Sequence, residues 1–86
     1  MALGEYEKEM LTITMEECAE VIQACSKLIR FGETPINLTE LEKELGDLYC
    51  MIDLLHQNDY ISFTRIDDFS LAKKEKLKIH SNLFGS

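Results

Sequence analysis

Apolar residues recur at helical spacing along two long stretches of the chain, and a single break separates the two stretches. The first stretch runs from Gly4 to Phe31, and neither glycine nor proline interrupts it between those two residues. The break is segment 32–37, which contains Pro35, the single proline of the chain. The pattern therefore predicts one long helix before the break and a second helix after it.

The second helix has two candidate N-caps, Asn37 and Thr39. Each of them precedes a glutamate by three residues, which is the spacing of a capping box. The helical pattern then ends near Asn58. The β-branched and aromatic segment 59–67 is predicted to be a packed loop, with a short strand as the alternative.

A shorter, lysine-rich third helix is predicted from Phe69 to about His80. Asp67 or Asp68 would cap it. Segment 81–86 is expected to fray. The predicted fold class is therefore all-α, a helical hairpin plus a short third helix, in one domain over residues 1–86.

Both long helices carry acidic residues inside an apolar stripe. At about 100° per residue, Glu17 lies in the middle of one stripe of the first helix and Glu20 lies at its edge. Glu44 interrupts the stripe of the second helix in the same way, and Asp47 lies about 60° to one side. A further apolar stripe runs alongside the first one on the first helix and comprises Leu11, Cys18, Ile22, Cys25 and Ile29.

Ionised carboxylates in core positions are costly unless they are paired or bound to a metal ion. Two of them about 4 Å apart repel by ~4 kcal/mol at an effective dielectric constant near 20. Basic residues could neutralise them, but Lys27 and Arg30 lie on the polar side of the first helix, and Lys43 lies about 100° from Glu44. A set of oxygen donors favours Mg²⁺ or Mn²⁺ over zinc.

Two other interpretations of these acids remain open. Most helical acids simply face water. A ferritin-like di-iron site would need a Glu-x-x-His motif, and neither His56 nor His80 stands in that relation to the acids.

Charge and composition narrow the class of protein. The formal net charge is -7, which argues against general nucleic-acid binding, although divalent cations could bridge the acids to an anionic substrate. The three cysteines form no Cys-x-x-Cys pair and fit a reduced, cytoplasmic setting. No signal peptide is recognisable, and no apolar run approaches the ~20 residues that a membrane span requires.

The acidic motifs resemble those of a known family. Glu16-Glu-Cys-Ala-Glu20 is a Glu-Glu-x-x-Glu motif, and Glu44-Leu-Gly-Asp47 is a Glu-x-x-Asp motif. Together they resemble the MazG-like family of all-α nucleoside triphosphate pyrophosphohydrolases. The similarity covers about residues 11–55 and is weaker in the third helix.

The resemblance implies cleavage of a nucleoside triphosphate, (d)NTP, to the monophosphate and pyrophosphate. Glu17, Glu20, Glu44 and Asp47 would hold Mg²⁺, with Mn²⁺ as an alternative ion. Two or three such ions would offset the charge of acids and triphosphate. Glu16 would lie beside these ligands, where it could orient or deprotonate water, act as an outer-shell ligand or simply be a solvated acid.

Basic and aromatic side chains are weaker candidates for contacts with the substrate. The candidates for phosphate are Lys27, Arg30, Lys73 and Lys76, against the alternative of solvated helix faces. Phe31, Tyr49 and Phe63 could stack on a base, although such aromatics more often lie in a core, and Met10 and Met51 are interpreted as packing residues.

The two stripes of the first helix predict a partner. A short chain with a helix covered on two sides favours a homodimer or homotetramer that shares a four-helix bundle. Two alternatives to the enzyme remain. One is an acidic helical module that grips a basic partner, and the other is a family member that binds nucleotides without turnover.

Overall fold

The chain folds into helices joined by short connections. The structure is a computed structural model that describes residues 2–85. Within that range it contains α1 (Glu5–Phe31), α2 (Pro35–Gln57) and α3 (Phe63–His80). The predicted all-α fold with a hairpin and a shorter third helix is confirmed. None of these helices is long and apolar enough to cross a membrane.

The helix α2 begins earlier than the sequence predicted. Its N-cap is Thr34, whose hydroxyl accepts a hydrogen bond from the backbone N–H of Asn37 at 3.1 Å. The prediction that Asn37 or Thr39 caps this helix is therefore wrong. The physical reason is Pro35, which occupies the first turn, where its fixed φ fits and its missing N–H costs no hydrogen bond.

The helix α3 also begins earlier than predicted. Ser62 caps it by accepting a hydrogen bond from the backbone N–H of Arg65 at 3.4 Å, so the assignment of the cap to Asp67 or Asp68 is wrong. Most of the predicted loop 59–67 is helical. One of its aromatic residues packs against α2, where the Phe63 ring stacks on His56 with 4.2 Å between the ring centroids.

Two short segments lie outside the helices near α3. The connection from α2 is short, and Asp59 adopts a left-handed conformation there, with φ at 63°. Beyond α3, the Ser81 hydroxyl donates to the carbonyl of Leu77 at 2.6 Å. Of the tail predicted to fray, Ser86 lies outside the described residues.

The core lies between α1 and α2. Met10, Met51 and Leu55 are buried together, and the partly buried residues packed against them are Leu11, Leu54 and Ile61. The interpretation of Met10 and Met51 as packing residues is confirmed. By contrast, α3 has no buried residue.

The molecule is elongated for its length. Its radius of gyration is 15.9 Å, against about 12 Å for a compact domain of this size. Its accessible surface is 6970 Å², about a third above the roughly 5,200 Å² expected for a compact monomer of this mass. Large apolar side chains account for part of the excess, among them Met15, Ile22 and Ile29 of α1.

Candidate metal centre

Three carboxylates from the two hairpin helices converge on one point. Glu17 comes from α1, while Glu44 and Asp47 lie one turn apart on α2 and therefore share a face. Each residue offers one oxygen, and the three oxygens all lie within 4.8 Å of one another. The two helices thus gather acids that are 27 residues or more apart in sequence.

Burial makes this arrangement costly without a partner. Glu44 is buried at 8% exposure. Glu17 is half-buried, and its Oε2 atom is shielded from solvent and accepts no hydrogen bond from residues 2–85. A shielded carboxylate oxygen without a donor is rare, and a cation is a partner that would satisfy it.

The pKa of the Glu17 carboxyl is raised above its ordinary value. Burial is the largest cause, and the negative charges of Asp47, Glu44 and Glu20 add to it. The Lys43 ammonium group acts in the opposite direction. The cluster therefore has more negative charge than its own surroundings neutralise.

Lys43 is the residue that the sequence reasoning missed. Its Nζ donates to Asp47 Oδ2 at 3.1 Å and to Glu44 Oε1 at 3.3 Å, and these carboxylates raise the pKa of Lys43. Helical phase put Lys43 well away from Glu44, but a flexible lysine side chain reaches across that angle. The i,i+4 spacing of Lys43 and Asp47 is the signal that could have found it.

The remaining predicted acids stand near the cluster but outside it. Glu20 lies one turn along α1 from Glu17 and is exposed, and its oxygens are not among the three that converge. Its charge nevertheless contributes to the raised pKa of Glu17. Glu16 is exposed and lines an open groove on the outer face of α1.

The predicted phosphate-binding residues do not meet the acids. Lys27 Nζ donates to Glu40 Oε1 at 2.7 Å and so links α1 to α2. The Arg30 guanidinium lies over the Phe31 ring, 5.0 Å from its centroid. Lys73 and Lys76 are exposed on α3. Within residues 2–85, Lys43 alone forms an ion pair with the cluster.

A small apolar groove adjoins the cluster. It has a volume of about 120 Å³ and is lined by Tyr6, Glu9, Met10, Ile13, Met51 and Leu54. Ile13 precedes Glu17 by one helical turn, and Met51 follows Asp47 by one turn, so the groove continues along the same face. The candidate stacking residues Phe31 and Tyr49 are exposed and do not line it.

The residues present fit a divalent cation. The donors are all carboxylate oxygens, which hard ions such as Mg²⁺, Mn²⁺ and Ca²⁺ prefer. The orphaned oxygen of Glu17 supplies a ligand atom without a competing hydrogen bond from residues 2–85. The cluster could therefore bind a metal ion.

Fold and site define a small all-α protein with an acidic centre between two antiparallel helices. The family model of the MazG nucleotide pyrophosphohydrolase domain matches residues 5–80. The chain therefore belongs to the MazG family, and the resemblance predicted from the acidic motifs is confirmed. No curated protein and no solved structure matches the chain significantly.

Proposed function

We propose that the chain is a Mg²⁺-dependent nucleoside triphosphate pyrophosphohydrolase that converts (d)NTP to (d)NMP and pyrophosphate, with Mn²⁺ as a substitute ion. The observation that carries this proposal is the convergence of Glu17, Glu44 and Asp47 around an unpartnered oxygen. Membership of the MazG family supports a nucleotide as the substrate.

The acids would hold the metal against the phosphates. Glu17, Glu44 and Asp47 are the central ligands, and Glu20 is proposed as a fourth because its charge already acts on Glu17. When bound, Mg²⁺ would offset phosphate charge and polarise the phosphorus under attack. Glu16, exposed beside Glu17 on α1, is proposed to orient or deprotonate the attacking water.

Basic side chains around the hairpin would contact the triphosphate. Lys27 and Arg30 follow the acids along α1, and the Lys27–Glu40 pair is partly exposed, so exchanging Glu40 for phosphate costs little. Lys73 and Lys76 on α3 are proposed to approach the phosphates from a neighbouring subunit. The apolar groove beside Ile13 and Met51 would take part of the nucleoside.

A homodimer or homotetramer is proposed as the working state of this single domain. The accessible surface of one chain exceeds that of a compact monomer by about 1,800 Å², which is in the range that one subunit buries in a large obligate interface. The exposed side chains of α1 and the absence of buried residues from α3 support the same proposal. A cytoplasmic setting fits the free thiols at Cys18, Cys25 and Cys50.

The leading alternative function is an acidic module that binds a basic partner. The contact of Lys43 with Glu44 and Asp47 favours it, because the cluster accepts an ammonium group in that contact. In that case a neutral residue at Glu44 would weaken partner binding and leave metal affinity unchanged. A nucleotide-binding protein without turnover is the second alternative.

Hydrolysis of nucleoside triphosphates distinguishes the enzyme from the two alternatives. The pure protein is incubated with Mg²⁺ and a panel of canonical and modified (d)NTPs, and pyrophosphate and monophosphate are measured. We expect Glu44→Gln to lower turnover at least ~100-fold with its helix content retained, since even outer-shell partners of a metal contribute 10–100-fold.

Glu42→Gln is the matched control, because Glu42 is an exposed acid on the same helix. It is expected to retain activity. Absence of turnover for every nucleotide, together with no thermal shift from Mg²⁺ plus nucleotide, would contradict the enzyme. A fully active Glu44→Gln variant would contradict the assignment of the site.

A further inference from the structure

Lys43 covers the acidic cluster from the solvent side. Its side chain is 66% exposed, whereas that of Glu44, which it contacts, is 11% exposed. The ammonium group therefore reaches inward from solvent to a carboxylate that is largely enclosed. Its second partner, Asp47, is half-exposed and lies one turn further along α2.

The ammonium group contacts two of the three carboxylates that a metal ion would need. Glu44 and Asp47 each present a carboxylate oxygen to Lys43 at hydrogen-bond distance, and both belong to the group of three that could hold an ion. A divalent ion bound by these two carboxylates would lie close to the Lys43 ammonium group, and the two cations would repel each other strongly. A divalent ion and the observed Lys43 contact are therefore competitors.

Lys43 neutralises the acidic cluster only in part, so a divalent ion could replace its ammonium group. Lys43 contacts two of the three acids, while Oε2 of the third, Glu17, has no donor within residues 2–85. One positive charge faces three carboxylates, and a divalent ion offsets this charge better than an ammonium group does. An exposed lysine also loses little when it returns to water.

We propose that Lys43 is a displaceable counter-ion of the metal site, which holds Glu44 and Asp47 together without metal and is released when a divalent cation binds. This inference rests on the metal site of the proposed function. Its consequence is a weakened affinity of the site for the free metal ion.

Metal binding without nucleotide tests the inference. Mn²⁺ alone is titrated by calorimetry into the wild type, Lys43→Met and Lys43→Arg, and thermal unfolding is followed with a chelator and with Mn²⁺. We expect Lys43→Met to bind Mn²⁺ roughly five- to tenfold more tightly, a factor in keeping with the loss of two weak surface ion pairs. It should also unfold at a lower temperature in chelator, because three carboxylates are then left unneutralised.

Two variants serve as controls. Lys43→Arg keeps the charge and should bind Mn²⁺ as the wild type does. Lys8→Met removes an exposed lysine that pairs with Glu5 at 3.6 Å, nine residues or about 13 Å along α1 from Glu17. That distance exceeds the Debye length of about 8 Å at physiological salt, so Mn²⁺ affinity should not change.

An unchanged or weakened Mn²⁺ affinity in Lys43→Met would overturn the inference, and so would an equal gain in Lys8→Met, which would indicate a net-charge effect. Tighter binding by Lys43→Met supports it, including the case in which the wild type binds Mn²⁺ too weakly to measure. Pyrophosphate release by the wild type is measured separately. If it occurs while Lys43→Met shows no gain in affinity, the inference alone fails and the proposed function stands.

Discussion

At the scale of single residues, Glu17 is the acid whose environment disfavours its ionised form. Burial and the charges of neighbouring acids raise its pKa, so the folded protein binds this proton more tightly than the unfolded chain does. By linkage, the free energy of unfolding of the metal-free protein falls as pH rises from the ordinary glutamate pKa of 4.5 through the raised folded value. At neutral pH the ionised Glu17 is then destabilising.

Glu17→Gln is therefore expected to stabilise the metal-free protein at neutral pH. Without the carboxylate, the fall in stability with rising pH should also be smaller in the variant. Thermal unfolding in chelator from about pH 4 to pH 7 measures both effects, and Glu42→Gln, an exposed acid on α2, corrects for general charge effects. With Mg²⁺ plus nucleotide the order should reverse, because the wild type gains binding energy that the variant has lost. A variant less stable than wild type in chelator at neutral pH would contradict this account.

At the scale of the helices, the start of α2 is set by a side chain that the sequence reasoning passed over. The Thr34 hydroxyl satisfies the backbone N–H of Asn37, which would otherwise lack a partner in the first turn. Thr34→Ala should lower the free energy of unfolding by about 1 kcal/mol, the usual cost of a lost N-cap. Urea denaturation followed by circular dichroism measures it.

Thr39→Ala is the matched control for this cap. Thr39 was one of the two candidates from the capping-box pattern, but it lies inside α2 and is exposed. Alanine there should be neutral or slightly stabilising because of its higher helix propensity. If Thr39→Ala cost more than Thr34→Ala, the helix would start where the sequence pattern had put it.

The helices also show what sequence can and cannot predict here. Phase put Glu17 and Glu44 inside apolar stripes and Asp47 about 60° to one side, because a regular helix keeps its period over a few turns. The structure places one oxygen of each residue within 4.8 Å of the others. The starts of α2 and α3 were misplaced because Pro35 and the aromatic segment after Asp59 fit both a break and a first turn. The contacts of Lys43 were not predicted because helical phase locates only the Cβ atom. The long, flexible lysine side chain extends beyond that position to the nearby carboxylates.

At the scale of the whole molecule, one chain exposes more surface than its size requires. The hairpin buries its acids and a small core, yet Ile22 and Ile29 of α1 remain 68% and 86% exposed. They lie one heptad apart on the stripe that also carries Cys18 and Cys25, so they form a continuous apolar line along the helix. Such a line gains stability only if a second surface covers it.

Ile22→Lys is expected to dissociate the proposed homo-oligomer. A charge at the centre of the apolar line would have to be buried without a partner, which costs far more than the isoleucine contact contributed. Gln23→Lys is the control, since it adds the same charge at an exposed position of the same helix, about 100° further round.

Sedimentation equilibrium of both variants at matched concentration measures the mass. An assembled wild type and Gln23→Lys beside a monomeric Ile22→Lys would support the interface, whereas a wild type that is monomeric at all concentrations would remove the oligomer from the proposal. Turnover of the monomeric variant would then decide whether the three acids of one hairpin suffice, or whether lysines of a second chain complete the site.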